Sequence, residues 1–381
     1  MKVGVIKIGS RISFNARDTS GGNGEARSII KMLHLGGADV VIFTKILKKD
    51  NLLPEYEWRN LSDFNETFSL IHPLSDLDAL LVLNGNLQFP GGAEDPEQIT
   101  NYKIINQVEC PVFYAYCDPE LTLKQPGAIF TPSKAKWNHK YKKEELFITR
   151  EDIIYLSQPH DVDKIFAKPS KNEPVPKKII HFPFEKFPCL NERLSFNPDP
   201  KVDLSYGGTM RGGKRVEKMF KYYFNYPKDI SVEMFGKIDE DDFADFLEPS
   251  HVSHRHPLYT GPVRYDEMLP KMNEAMCHIV IGDKYYEQIN DMAQRAYESI
   301  WSSVVTFIDS DLDQLRRVYG ADEDLSELLY VSSRQEAEER IRMLKDSPEL
   351  REEIVARQFE TINFDAKEYC SSFMKIIEDN I

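Results

Sequence analysis

Apolar residues along this chain gather in short, nearly unbroken runs. In the first half these are KVGVIKI (2–8), DVVIFTK (39–45), DALLVLNG (78–85), PVFYAYCD (111–118), IIYLS (153–157) and KIIHFPF (178–184). Strict alternation would indicate strands with one wet face; continuous runs indicate parallel strands covered on both faces. EARSIIKMLHL (25–35) instead repeats its apolar positions with a helical period. A second series follows: VDLSYGG (202–208), SVEMFG (231–236), CHIVIGD (277–283) and SVVTFID (303–309), with helical patterns between them and an acidic helical tail from about 335. Two blocks of repeating βαβ pattern predict an α/β protein with two doubly wound domains, joined near CLNERLSFNPDPK (189–201). Ligands of such sheets sit beyond the carboxyl ends of the strands, and Gly207, Gly208, Asp118, Asp283 and Glu185 all fall just after predicted strands.

Composition narrows this picture. A chain of 381 residues exceeds one ordinary core, which agrees with two domains. Hydrophobic content of 41% and charged content of 29% are those of a soluble globular protein, and no apolar run approaches the roughly 20 residues of a membrane span. The net charge of -14 excludes a protein that coats nucleic acid with its whole surface, though not one with a local basic groove. Five scattered cysteines without C-x-x-C spacing read as reduced thiols rather than as a disulfide framework or a zinc site.

Candidate chemistry concentrates in a few stretches. YGGTMRGGKR (206–215) follows a strand and mixes glycines with Arg211 and Arg215, four apart on one helical face. Gly208 to Lys214 fits G-x-x-x-x-G-K, but Arg215 stands where a P-loop needs Ser or Thr for magnesium. What remains is a glycine turn leading into a helix whose first amides meet an oxyanion. The alternative is a plain turn with solvated arginines. RAYE (295–298) projects Arg295 and Glu298 together, either for the phosphate and ribose of a nucleotide or as a simple i,i+3 pair. Asp118, ending a strand, suits a general base or merely a cap. SKAKWNHKYKK (133–143) interleaves Lys134, Lys136, Lys140, Lys142 and Lys143 with Trp137, His139 and Tyr141, fitting either a nucleic-acid backbone with unstacked bases or a solvated loop. The histidines of HVSHRH (251–256) lack partner ligands and read as a loop; DSDLD (309–313) fits a metal-binding D-x-D or helix capping equally.

Together these stretches resemble the DNA β-glucosyltransferases of T-even bacteriophages. YGGTMRGGKRVEKM (206–219), MFG (234–236), YTGPV (259–263), IGDKYY (281–286), RAYE (295–298) and TFID (306–309) recur in order and spacing, with looser agreement at MKVGVIKIG, FPGG (89–92), YCD (116–118), EEL (144–146) and FPFE (182–185). The resemblance implies the GT-B fold: a Rossmann-like acceptor domain over 1–190, a UDP-sugar domain over 191–360, and a helix over 361–381 returning toward the first. It implies inverting transfer from UDP-glucose to 5-hydroxymethylcytosine in duplex DNA, by a monomer in the cytoplasm of an infected bacterium, protecting the phage DNA from nucleases. Asp118 then matches the catalytic base, with Glu25 and Glu185 as cleft glutamates. Gly208, Thr209, Arg211, Arg215 and Arg295 match the diphosphate site. Glu298, Val263, Phe235 and Gly236 match the nucleoside site, and Asp283 and Tyr286 lie near the sugar nucleotide. The lysines and Trp137 of 133–143 are expected at DNA, whose target base is flipped out, and Mg or Mn is an expected loosely bound aid. One extra residue between Asp283 and Arg295, and poor agreement over 133–176 and 237–257, leave a pentose donor such as UDP-arabinose open. The residues also leave room for a GT-B transferase with another acceptor, a retaining DNA transferase or a catalytically silent binding protein.

Overall fold

The computed structural model describes residues 1–8, 11–14, 21–47, 50–63, 74–84, 96–116, 150, 152–158, 178–210, 214–236, 258–282, 286–287 and 292–381. Contacts divide these into two compact units, Met1–Phe184 with Asp365–Ile381, and Glu185–Phe364.

The first unit holds β1 (Lys2–Ile8), α1 (Gly21–Leu35), β2 (Asp39–Thr44), β3 (Glu57–Asn60), β4 (Ala79–Asn84), α2 (Pro96–Gln107), β5 (Val112–Tyr116), β6 (Ile154–Ser157) and β7 (Lys178–His181). Its seven strands run parallel in the order β3-β2-β1-β4-β5-β6-β7. The apolar runs other than KIIHFPF, which forms the edge strand β7, become central strands, and Val5, Ile6, Val41, Leu81 and Phe113 are wholly buried because helices cover both faces. Two expectations change. KIIHFPF is a strand only to His181, and its aromatic end turns into a 3₁₀ segment, Phe184–Leu190. EWRN forms β3 without an apolar run, since Arg59 is buried there against Glu57 (2.8 Å) and Asp76 (2.7 Å).

The second unit holds β8 (Val202–Gly207), α3 (Lys214–Tyr223), β9 (Val232–Phe235), β10 (Tyr259–Gly261), α4 (Met268–Asn273), β11 (Ala275–Val280), α5 (Gln294–Trp301), β12 (Val305–Asp309), α6 (Glu323–Leu329), β13 (Tyr330–Val331), α7 (Arg334–Lys345) and α8 (Pro348–Ile362). The sheet is again parallel, in the order β10-β9-β8-β11-β12-β13. Its order reverses between β8 and β11, the place where an open α/β sheet leaves a crevice beyond its carboxyl edge. After Asn363, left-handed at φ 41°, the last helix, α9 (Ala366–Glu378), belongs to the first unit. There Phe373 packs on Phe182 at 4.8 Å between ring centroids, and Tyr369 donates its hydroxyl to the Pro183 carbonyl at 2.7 Å. No described helix is long and apolar enough to cross a membrane.

Candidate nucleotide site at the carboxyl edge of the second sheet

At the end of β8 the chain passes through Gly207 and Gly208 beside the end of β9. Phe235 is fully buried, and its ring fills the space that a side chain on residue 207 would need: a Cβ there would lie 2.5 Å from the ring. The Phe235 carbonyl accepts from the Gly208 amide at 3.0 Å. Gly236 sits at φ 122°, and a Cβ there would meet the Gly208 carbonyl oxygen at 2.0 Å. The next strand continues the layer: the Gly236 amide donates to Gly261 at 2.9 Å, and Tyr259 donates its hydroxyl to the Gly236 carbonyl at 2.7 Å. Three glycine-bearing strand ends thus lie side by side, with bare backbone at the switch point. Val263, half-buried, follows two residues after Gly261.

Side chains then close around the turn. The Tyr206 hydroxyl donates to the Thr209 carbonyl at 3.2 Å, and Arg215 Nη1 donates to the same oxygen at 3.3 Å. Arg295 comes from α5, and its Nη2 lies 3.7 Å from where a Cβ on Gly208 would be. Its Nη1 is 2.6 Å from Glu298 Oε2, one helical turn on. The i,i+3 pair expected of RAYE is therefore formed: a largely buried carboxylate holds one edge of the guanidinium while the other edge faces the glycine turn. Such a fork, beside the amides that open α3, suits a diphosphate. Beneath it His278 is completely buried on β11; burial, then the nearby Arg295 charge, lower its pKa from 6.5 to about 3 and keep it neutral.

Other sequence-derived residues are more dispersed. Tyr286, half-buried, packs on the second unit's core near Gly282. Glu185 lies buried in the first turn of the 3₁₀ segment, close enough to α5 that its charge, after burial itself, raises the Tyr297 phenol. Glu25 is half-buried on α1 in the first unit. Asp118, Arg211, Asp283, Lys134, Lys136, Trp137, Lys140, Lys142, Lys143 and the histidines of 251–256 lie outside the described residues.

DSDLD departs from helix capping. Asp309 receives the Lys218 ammonium and the Tyr222 hydroxyl (2.7 Å), and Asp313 accepts from Tyr330 (2.5 Å) and the Val318 amide (3.1 Å). Glu287, Asp309 and Asp311 bring carboxylate oxygens within 4.8 Å of one another, a spacing suited to a divalent ion. Lys218 Nζ already lies 2.7 Å from Glu287 and 3.1 Å from Asp311, so the trio does not fit a resident metal while that ammonium is present. Lys218, His278, Tyr206 and Tyr259 are site residues that sequence reasoning misses. Tyr206, Lys218 and Tyr259 fall inside matching motifs, but only strand order puts His278 and Tyr259 beside the glycine turn.

No family model matches the sequence. The chain is similar to the DNA beta-glucosyltransferase of Enterobacteria phage T4, 28% identical over 294 residues, covering 76% of this chain and 79% of that protein. A structure of T4 phage BGT with UDP and Mn2+ superposes with TM-score 0.75 at 25% identity, covering 99% of this chain and all of that one. An alpha-glucosyltransferase solved with UDP and a 13-mer DNA shares the fold, with TM-score 0.58 at 12% identity over 99% of this chain and all of that one. The two parallel sheets are accordingly those of the GT-B fold.

Proposed function

Since the chain is a homologue of phage T4 DNA beta-glucosyltransferase with the GT-B fold, we propose that it is a DNA glycosyltransferase. It moves a sugar, glucose in the first instance, from a UDP-sugar to the hydroxymethyl oxygen of 5-hydroxymethylcytosine, with inversion. The observation that carries this reading is the apposition of Gly208, Arg295 and Glu298 at the switch point of the second sheet.

The chemistry follows from that apposition. Breaking the bond between sugar and diphosphate builds negative charge on the β-phosphate. Donors fixed in advance act most strongly on charge that grows in the transition state. Arg295, held by Glu298, and Arg215, tied to the Thr209 carbonyl, are such donors, joined by Arg211 and by the amides entering α3. Glu298 also accepts from the ribose hydroxyls, and Val263 borders the uracil. The bare backbone at Gly208 and Gly236 lets the diphosphate approach main-chain amides. Asp118, two residues beyond β5, takes the proton from the attacking hydroxymethyl oxygen, and a single displacement inverts the anomeric carbon. Reaching that hydroxyl requires extruding the base from the duplex, at a cost of a few kcal/mol, which the lysines of 133–143 offset through phosphate contacts. A structure of T4 phage BGT holds UDP with Mn2+; a divalent ion here would assist at the diphosphate, and no protein step above depends on it.

The test is a panel of UDP-glucose, UDP-arabinose and other UDP-sugars against DNA containing cytosine, 5-hydroxymethylcytosine or 5-hydroxymethyluracil, with nucleosides identified by mass and NMR. A β-glucosylated hydroxymethylcytosine is expected. A pentosylated product or an α-anomer would overturn the donor or stereochemical assignment, and turnover without modified DNA would overturn the acceptor.

A further inference from the structure

Asp309 ends β12 with none of its side chain exposed. A carboxylate in so dry a position requires compensation. Lys218 supplies it from the second turn of α3, contacting Asp309, Glu287 Oε1 at 2.7 Å and Asp311 Oδ2 at 3.1 Å. Tyr222, one turn further on, places its hydroxyl 2.7 Å from Asp309 Oδ1, and Lys221 Nζ is 3.7 Å from the same oxygen. Among the described residues, the cations that reach Asp309 thus come from α3. Glu287 is not needed for that, yet it is 13% exposed and turned onto the same ammonium.

Glu287's position in the chain gives the contact its meaning. It lies in the connection from β11 to α5, which carries Asp283 and Tyr286 and delivers Arg295 at its far end. Lys218 lies on the helix that the glycine turn enters. The ammonium donates to a strand end and to the start of the following turn, and its charge pairs with Glu287 of this connection at 2.7 Å. We propose that Lys218 is a positioning residue for nucleotide-sugar binding: through Glu287 it tethers the β11–α5 connection to α3, so that Arg295 and the amides of the glycine turn meet the diphosphate as one preset unit. This rests on the donor site proposed above. It also explains why a carboxylate trio at metal-binding distance needs no ion: the lysine does the cross-linking.

Glu287→Gln cuts the tether and leaves the Lys218–Asp309 contact in place, whereas Lys218→Met removes both. UDP binding by calorimetry, thermal melting and steady-state kinetics are measured on both variants, on the double variant and on Arg295→Ala. The loss of one charge-assisted contact predicts UDP affinity about tenfold weaker in Glu287→Gln, with KM for the sugar nucleotide raised, kcat little changed and the melting temperature retained. The double variant should bind no more weakly than Lys218→Met, because the two side chains act through one contact. Wild-type affinity in Glu287→Gln, or additive losses in the double variant, overturns the tether while Arg295→Ala still loses UDP. If Arg295→Ala binds UDP as the wild type does, the donor site itself is misassigned and the tether falls with it.

Discussion

Gly236→Ala is the sharpest probe of the nucleotide site, because the structure gives two separable reasons for glycine there. Its φ of 122° lies where a Cβ is strained, at about 1–2 kcal/mol for a non-glycine residue. The added carbon would also sit 2.0 Å from the Gly208 carbonyl oxygen, 2.7 Å from its carbon and 3.0 Å from its nitrogen. Those are backbone atoms, so no rotamer relieves the clash and the Gly208 turn itself must move. Overpacking of this kind adds about 1–3 kcal/mol, for a total of about 2–5 kcal/mol. Gly261→Ala is the control: its φ is 110° and no described residue lies within 4 Å of the new carbon, so only the strain should appear. Denaturant unfolding measures the stability of each variant, and calorimetry at low temperature measures UDP affinity on the folded fraction. Gly236→Ala should lose most of its UDP binding, and Gly261→Ala should lose little. Equal destabilisation by the two, or a folded Gly236→Ala that binds UDP normally, would show that the Gly208–Gly236 approach does not shape the site.

Three further outcomes follow from the same reasoning. Asp118→Asn should keep UDP affinity while transfer falls by about 10²–10⁴, the usual worth of a general base; loss of UDP binding would mean the residue serves the donor instead. Reversing the charge of Lys140, Lys142 and Lys143 together should weaken DNA binding and flatten its dependence on log salt by about 3, as filter binding at several salt concentrations would show; an unchanged slope removes these lysines from the interface. His278 has a folded pKa of about 3 against 6.5 when unfolded, so the unfolded chain binds the extra proton between those values. Its contribution is present above pH 6.5 and is lost as pH falls toward 3. Between pH 4 and 6, His278→Gln should therefore reduce the slope of stability against pH by about 1.4 kcal/mol per unit, and parallel curves for the two proteins would refute the buried neutral imidazole.

The parts of the fold that are legible in the chain are those where neighbours in sequence share one environment. Central parallel strands are covered on both faces, so β1, β2, β4, β5, β8, β11 and β12 announce themselves as apolar runs. Edge strands need no such run: β3 carries a buried arginine, and β10 and β13 span three and two residues. The glycine turn after β8 and the Arg295–Glu298 spacing on α5 are local patterns too, and both are readable without coordinates.

Which partners those patterns meet is a different matter. Local spacing puts Arg295 and Glu298 on one helical face but cannot say that the guanidinium turns toward Gly208, because that depends on β11 lying beside β8. DSDLD likewise reads the same whether it caps a helix or grips a metal. Only the packing of α3 against the end of β12 brings Lys218 among its carboxylates and decides for neither. Periodicity records how each residue faces its own segment's surroundings, so composition and pattern alone determined two parallel α/β layers with a phosphate-suited turn. Charge pairing and close backbone approach act between segments far apart in the chain, and those were left to the order of the strands.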